Sequence, residues 1–163
     1  MRYLEKLKAK DAPSGHIALI TVLAAGPRRL AVANTHLKWD PPGTPAAAQW
    51  GLRQIGELLD RRPALAPEAE AWIVTGDLNV GPESDVVAAL AAAGFRDAHA
   101  GEAPFATCVT SGHAHRVDWL FAAGNLGAHP RRPPPLDDTT ALPSAEEPSD
   151  HLPLEARFAW AEP

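Results

Sequence analysis

Side chains able to do more than pack stand where apolar runs stop. His36 follows RRLAVANT, Asp77 and Asn79 follow AWIVTG, Asp118 interrupts RVDWLF, and Asp150 with His151 precedes LPLEARFAW. Asp77 and Asn79 are two apart, so on an extended segment both point the same way. A carboxylate and an amide on one face can hold a hard cation, a water or a phosphate oxygen. The competing reading is a pair of turn residues in an Asp-Asn loop. Ser149-Asp150-His151 has the residue types of a hydrolytic triad, but neighbours on an extended chain point to opposite sides and cannot form one among themselves. They can supply an oxygen ligand and an imidazole to a shared cleft, or form a polar turn before a strand. Asp118 lies between Val117 and Trp119, where a carboxylate is costly without a partner. A neighbouring imidazole is the natural partner, since the carboxylate fixes its tautomer and stabilises the imidazolium; an ion pair with Arg116 is the alternative. His36, taken alone, reads as structural. His113-x-His115 with Cys108 has metal-ligand types, but no fourth ligand stands at a suitable spacing. Glycine-rich phosphate loops and dinucleotide fingerprints are absent.

The elements that must position these groups are legible as alternating and helical patterns. HIALITVLAA (16–25) and RRLAVANTHLKW (28–39), separated by Gly26-Pro27, predict a hairpin. A helix is expected to start with Thr44 as its cap and Pro45 in its first turn, with Ala48, Leu52, Ile55 and Leu59 as its buried stripe. Residues 71–75 predict a central strand that delivers Asp77 and Asn79 at its end. Pro82-Glu83-Ser84-Asp85 starts a second helix over 86–93, stopped by Gly94. Residues 116–121 predict a strand with Val117, Trp119 and Phe121 on one face. From Ala128 to Asp150 the chain is proline-rich without periodicity and is expected to be a loop. Leu152 to Trp160 predicts the last strand. Met1 to Lys10 reads as a charged helix. Strand ends in a layered α/β fold meet at one edge, so the polar groups can converge there.

Composition narrows the class. The chain has 163 residues, 45% hydrophobic and 21% charged, which suits one soluble globular domain. No run approaches the ~20 apolar residues of a membrane helix, and no signal-peptide pattern opens the chain, so a cytoplasmic home is the default expectation. A single cysteine excludes an internal disulfide and a cysteine-rich zinc site. The net charge of −5 argues against a bulk nucleic-acid coat, though not against an enzyme gripping one phosphate through a metal.

Four segments in order, Asn34-Thr35-His36-Leu37, Gly76-Asp77-Leu78-Asn79, Arg116 to Phe121, and Ser149-Asp150-His151-Leu152-Pro153, resemble the endonuclease/exonuclease/phosphatase superfamily, the DNase I-like fold. The resemblance implies an α/β (α+β) fold: part of a four-layer sandwich of two packed mixed β-sheets flanked by helices, with residues 1–163 forming a single, truncated domain. It implies a metal-dependent phosphoester hydrolase, phosphodiesterase- or nuclease-like. Asp77 would orient or deprotonate the attacking water, and Asn79 would position that water or a phosphate oxygen. Asp118 would orient His151, which neutralises the phosphoryl group, and His36 would contact the phosphate. Asp150, Asp77 and Asn79 would serve the metal, expected to be Mg²⁺, with Mn²⁺ as the alternative. The implied partner is a phosphoester substrate, nucleic acid among the candidates, with no membrane span. The family pattern also carries an asparagine and a metal-binding glutamate on its first two strands; no such motif precedes Asn34, and no residue here takes that role. The alternative reading is a truncated, inactive fragment or interaction module. A lone second half would leave a sheet face uncovered and prone to associate.

Overall fold

The computed structural model describes residues 15–161. The charged segment Met1–Lys10 therefore lies outside the described residues. β1 (Ala18–Ala25) and β2 (Arg28–Thr35) form the expected antiparallel hairpin, with Ala18 opposite Thr35 and Ala25 opposite Arg28. Gly26 turns it at φ +63°, a conformation that a side chain would oppose. β2 stops at Thr35 rather than continuing to Trp39, and beyond it the Lys38 amide turns to a side chain of the first helix. The Leu37 N–H donates to the Asp77 carbonyl at 2.9 Å, and the Lys38 N–H to Gln54 Oε1 at 2.8 Å.

The first helix also begins later than its sequence suggests. Ala46–Ala48 is a short 3-10 turn, and α1 runs Trp50–Leu65. Its N-terminal amides are satisfied from a distance: Asp40 accepts the Trp50 and Gly51 N–H groups at 3.0 and 2.9 Å. An acidic group there also suits the positive end of the helix dipole. Thr44, the expected cap, instead turns its hydroxyl back to the Pro41 carbonyl. The buried stripe is rotated accordingly, to Gly51, Ile55 and Leu58, with Leu52 and Leu59 partly buried.

β3 (Ala71–Asp77) is the central strand, parallel to β2. α2 (Asp85–Ala92) is capped by Ser84, which accepts the Val87 N–H, and Gly94 follows at φ +84°. β4 (Arg96–Asp97) is a short edge strand, and β5 (Cys108–Thr110) with β6 (His113–His115) makes a hairpin in a stretch that lacks strand patterning. β7 (Asp118–Ala123) pairs antiparallel with β3, giving a five-stranded mixed sheet in the order β1-β2-β3-β7-β4. The expected loop from Ala128 begins too early. β8 (Leu126–Arg131) is a strand and pairs with β9 (Glu155–Trp160).

Helices α1 and α2 cover one sheet face, and the core lies between, with Ile20, Val74, Phe121, Ile55, Val86 and Leu90 fully or almost fully buried. The other face carries Ile73, Ala122, Leu30 and Val32, which pack with Phe158 and Trp160 from β9. That cover stops short of β1: Leu19 and Leu23 are 42% and 46% exposed, and Ile17 just before them is 49% exposed. No helix among the described residues is long and apolar enough to cross a membrane.

Gly76 is the tightest point of the sheet. It has φ +127°, and a Cβ there would stand 2.0 Å from the Thr35 carbonyl oxygen. Gly76→Ala is expected to cost at least about 2 kcal/mol in urea unfolding, since strain and a backbone clash add. The control is Gly56→Ala in α1, where nothing lies within 4 Å of the added methyl; it should be neutral or stabilise by about 0.5–1 kcal/mol. Equal effects at the two glycines would contradict this.

Candidate active site

The sheet brings the polar strand ends to one edge. β2 and β3 run parallel and end there, while β7 runs the other way and starts there. Asp77, last in β3, is the direct partner of Asp118, first in β7, so the two carboxylates face the same side. His36 stands just beyond β2. Its Nε2 lies 2.9 Å from Asn79 Nδ2 and 3.4 Å from Asp77 Oδ2. Asn79 takes φ +53°, a left-handed conformation that asparagine tolerates better than most residues.

These contacts orient the Asn79 amide. Asn79 Nδ2 also donates to the Leu37 carbonyl at 2.9 Å, and a carbonyl only accepts, so the amide nitrogen must face that way. Its second N–H then points at His36 Nε2, and the same ring nitrogen stands 3.4 Å from Asp77 Oδ2. With both amide hydrogens committed, Asn79 can offer the site only its Oδ1, an acceptor.

His151 reaches the same edge by a different route. Its segment docks on β5: the Val109 N–H donates to the Asp150 carbonyl at 3.2 Å, and the Leu152 N–H to the Thr107 carbonyl at 2.7 Å. The His151 Nδ1–H donates to Asp118 Oδ2 at 2.8 Å, since a carboxylate can only accept. Asp118 is thus partnered by the imidazole and not by Arg116. Arg116 pairs instead with Asp97, at 2.8 and 2.9 Å, between the rings of Phe105 and Trp119. Ser149 accepts the His151 N–H in a local turn and reaches no triad geometry.

Burial and neighbouring charges shift two of these groups. Burial pushes the Asp77 carboxyl up, and the Asp118 charge pushes it further, against the Asn79 N–H and the two histidines. For His151, burial disfavours the imidazolium. The Asp118 hydrogen bond and the charges of Asp118, Asp77 and Asp150 outweigh it, and the net pKa is raised above 6.5. Cys108 lines the adjoining groove, and its thiol is pushed up by burial and by the same three carboxylates, which makes it a poor nucleophile. The groove holds about 660 Å³ and runs from Asn79 and His151 past His115 and Glu83 to Trp39.

Among the described residues, no group of three or more His, Cys, Asp or Glu is arranged to hold a metal by itself. His113 pairs loosely with Asp138, at 3.7 Å, and Cys108 bonds Thr110, so the His113/His115/Cys108 set forms no metal centre. Magnesium usually takes one or two carboxylates and fills its shell with water and substrate phosphate. The mutual repulsion of Asp77 and Asp118 is negative charge that such a cation relieves. The donor set therefore fits a hard cation shared with a substrate, not a closed protein cage.

The sequence matches the Endonuclease/Exonuclease/phosphatase family over residues 4–151. The chain belongs to that family. No curated protein matches it. Several solved structures resemble it in fold. The human Nocturnin catalytic domain, solved with a bound sulfate anion, has a TM-score of 0.70 at 22% identity, over 96% of this chain and 57% of that one. ANGEL2, a 2',3'-cyclic phosphatase solved with adenosine-2',3'-vanadate, gives 0.72 at 19%, over 88% and 61%. Truncated Caenorhabditis elegans TDP2 gives 0.61 at 19%, over 93% and 62%. This family member thus spans less than two thirds of each of these chains.

Three groups that shape the site escape a reading by motif. Asp40 caps α1 and Gln54 holds Lys38, so both set the path of the loop after His36. Thr107 holds the segments around Asp118 and His151. Their polarity is visible in the sequence, but their partners are remote in it.

The raised His151 pKa makes a signed prediction. A group with a raised folded pKa contributes stability that is fully present below its ordinary value, here 6.5, and lost as pH rises through the folded value. The melting-temperature gap between wild type and His151→Asn should be largest at the acid end of a series from about pH 5.5 to about pH 9, and should close towards the alkaline end. A gap that widens with pH would show that the imidazolium is not favoured in the fold.

Proposed function

We propose that this chain is the phosphate-handling portion of a single metal-assisted phosphoester hydrolase domain, in which water attacks phosphorus in line. The observation that carries the reading is the linked set at one sheet edge: Asp77 opposite Asp118, Asp118 bonded to His151 at 2.8 Å, and His36 held by Asn79 at 2.9 Å. Family membership supports the same class of chemistry.

In this reading each residue does what its contacts prepare it for. His151, whose protonated form the Asp118 hydrogen bond favours against burial, places an N–H donor at the phosphoryl oxygens as charge develops there. Asp77 accepts a proton from, or orients, the attacking water; its raised pKa brings it nearer the working range of a general base. Asn79 presents Oδ1 to that water or to a cation, and its amide holds His36 towards the phosphate. Mg²⁺, or Mn²⁺ in its place, would be held by oxygens of Asp77, Asp150 and Asn79 and would supply Lewis-acid stabilisation of the phosphate. The substrate is a phosphoester seated in the groove towards Trp39, nucleic acid being one candidate.

Hydrolysis of a generic phosphodiester tests this. With Mg²⁺, Asp77→Asn and His151→Ala should each reduce the rate by at least about 10²-fold, the scale of losing acid–base or electrostatic help. Activity that ignores both substitutions and chelation of the metal overturns the reading.

A second reading is favoured by the bare β1 flank. Under it, the 163-residue chain is silent in that assay and serves as a fragment or interaction module. The apolar row Ile17, Leu19 and Leu23 then associates through the uncovered sheet face. Sedimentation should show concentration-dependent self-association that Leu19→Glu with Leu23→Glu abolishes. A monomer at every concentration contradicts association through this face.

A further inference from the structure

We infer that Thr107 is a positioning residue for the Asp118–His151 pair, tying together the two segments that carry them. Thr107 is 0% exposed and lies outside every helix and strand, immediately before β5. Its hydroxyl oxygen accepts the Val117 N–H at 3.1 Å and the Asp118 N–H at 3.2 Å. The hydroxyl proton points to the His115 carbonyl, 3.5 Å away, and the Thr107 N–H donates to that same carbonyl at 2.7 Å. The Thr107 carbonyl accepts the Leu152 N–H at 2.7 Å. One residue thus bonds the amide of Asp118 through its side chain and the amide next to His151 through its backbone.

The chemistry requires an oxygen at this point. β6 ends at His115 and β7 begins at Asp118, so the chain changes sheets between them. The amides of Val117 and Asp118 are served there by Thr107 Oγ1, whose two lone pairs are both used. Valine has nearly the same shape and no acceptor. In its place two amides lose their partner inside the protein, and the start of β7 must shift to find another. A shift there moves the Asp118 carboxylate against the His151 ring, while the rest of the sheet keeps its ladder. A role limited to packing makes the opposite demand: valine would serve, and serine, which lacks the methyl group, would not.

The geometric part of this inference stands without the hydrolase reading; only its kinetic consequence rests on it. The test compares wild type, Thr107→Val, Thr107→Ser and, as reference, Asp118→Asn. The first readout is the His151 Nδ1–H proton in ¹H–¹⁵N spectra of the folded protein. A proton in a short imidazole–carboxylate hydrogen bond resonates far downfield and exchanges slowly. The expected result is that serine keeps this signal and valine loses it as Asp118→Asn does, with the amides of β3 unchanged. The second readout is phosphodiester hydrolysis with Mg²⁺, where valine should lower kcat by about 10- to 100-fold with KM little changed, the scale of misplacing a reacting group. A valine variant that keeps both signal and rate overturns the assignment, as does a serine variant that loses the signal. If Thr107→Val does not fold, Thr107→Ser decides: a wild-type signal supports the role of the hydroxyl, and its loss overturns it. An inactive wild type counts against the hydrolase reading alone, and the spectra then settle Thr107.

Discussion

The site depends on one pairing, that of β3 with β7 with Asp77 opposite Asp118. Side chains alternate along a strand, so a slip of one residue would turn one carboxylate towards the helices and leave the other on the site face. Packing on the helix side opposes such a slip. Trp119 and Phe121 are buried there and stacked on each other, with centroids 5.3 Å apart. The Trp119 indole N–H reaches the Val80 carbonyl at 3.0 Å, which ties the loop after Asp77 to the same register. Gly76 lets the Thr35 carbonyl come so close that β2, and with it His36, is located by the same strand. Packing on one side of the sheet thereby sets distances on the other.

Placing two carboxylates opposite each other has an electrostatic cost, and the surrounding groups answer it. Asp118 gives its charge to His151 in a short hydrogen bond. Asp77 has no such strong partner: its Oδ1 accepts the Asn79 N–H, and its Oδ2 faces a histidine nitrogen already occupied by an amide. Burial first, and then the Asp118 charge, raises the Asp77 pKa. An under-neutralised carboxylate beside a protonation-prone imidazole is a polarised pair, with a proton acceptor and a cationic donor side by side. A purely structural ion pair would instead gain by full neutralisation, and under the proposed reading the asymmetry serves a phosphate and a water.

Much of this was legible before any coordinates. The hairpin of β1 and β2, the central strand β3, the Ser84-capped helix and β7 all carry strong local signals: alternation, a turn glycine, a cap and an apolar run. Proximity of Asp118 to an imidazole follows from the cost of an unpaired carboxylate between Val117 and Trp119. What stayed hidden is non-local. The start of α1 is set by Asp40, ten residues before Trp50, and not by Thr44 beside it. The hairpin of β5 and β6 is three residues a side and rich in polar groups, so no period shows. β8 contains Gly127 and Pro130 and is a strand only because β9 pairs with it. Thr107 looks like any threonine until its amide partners come from residues 117 and 118.

The least finished part of the molecule adjoins its chemistry. His36 is 64% exposed, and an open cavity of about 480 Å³ runs from it along Asn34, Ile17 and Leu19 to the bare flank of β1. Apolar strand residues left at this level of exposure contribute little of the burial energy they could supply, about 25 cal/mol for each Å² of apolar surface covered. Whatever lies over that flank would also border His36. The solved structures that resemble this chain match it over only 57–62% of their own length. Covering the sheet and enclosing His36 are therefore one structural problem: a layer placed on Leu19 and Leu23 reaches the imidazole by continuing along the same strand.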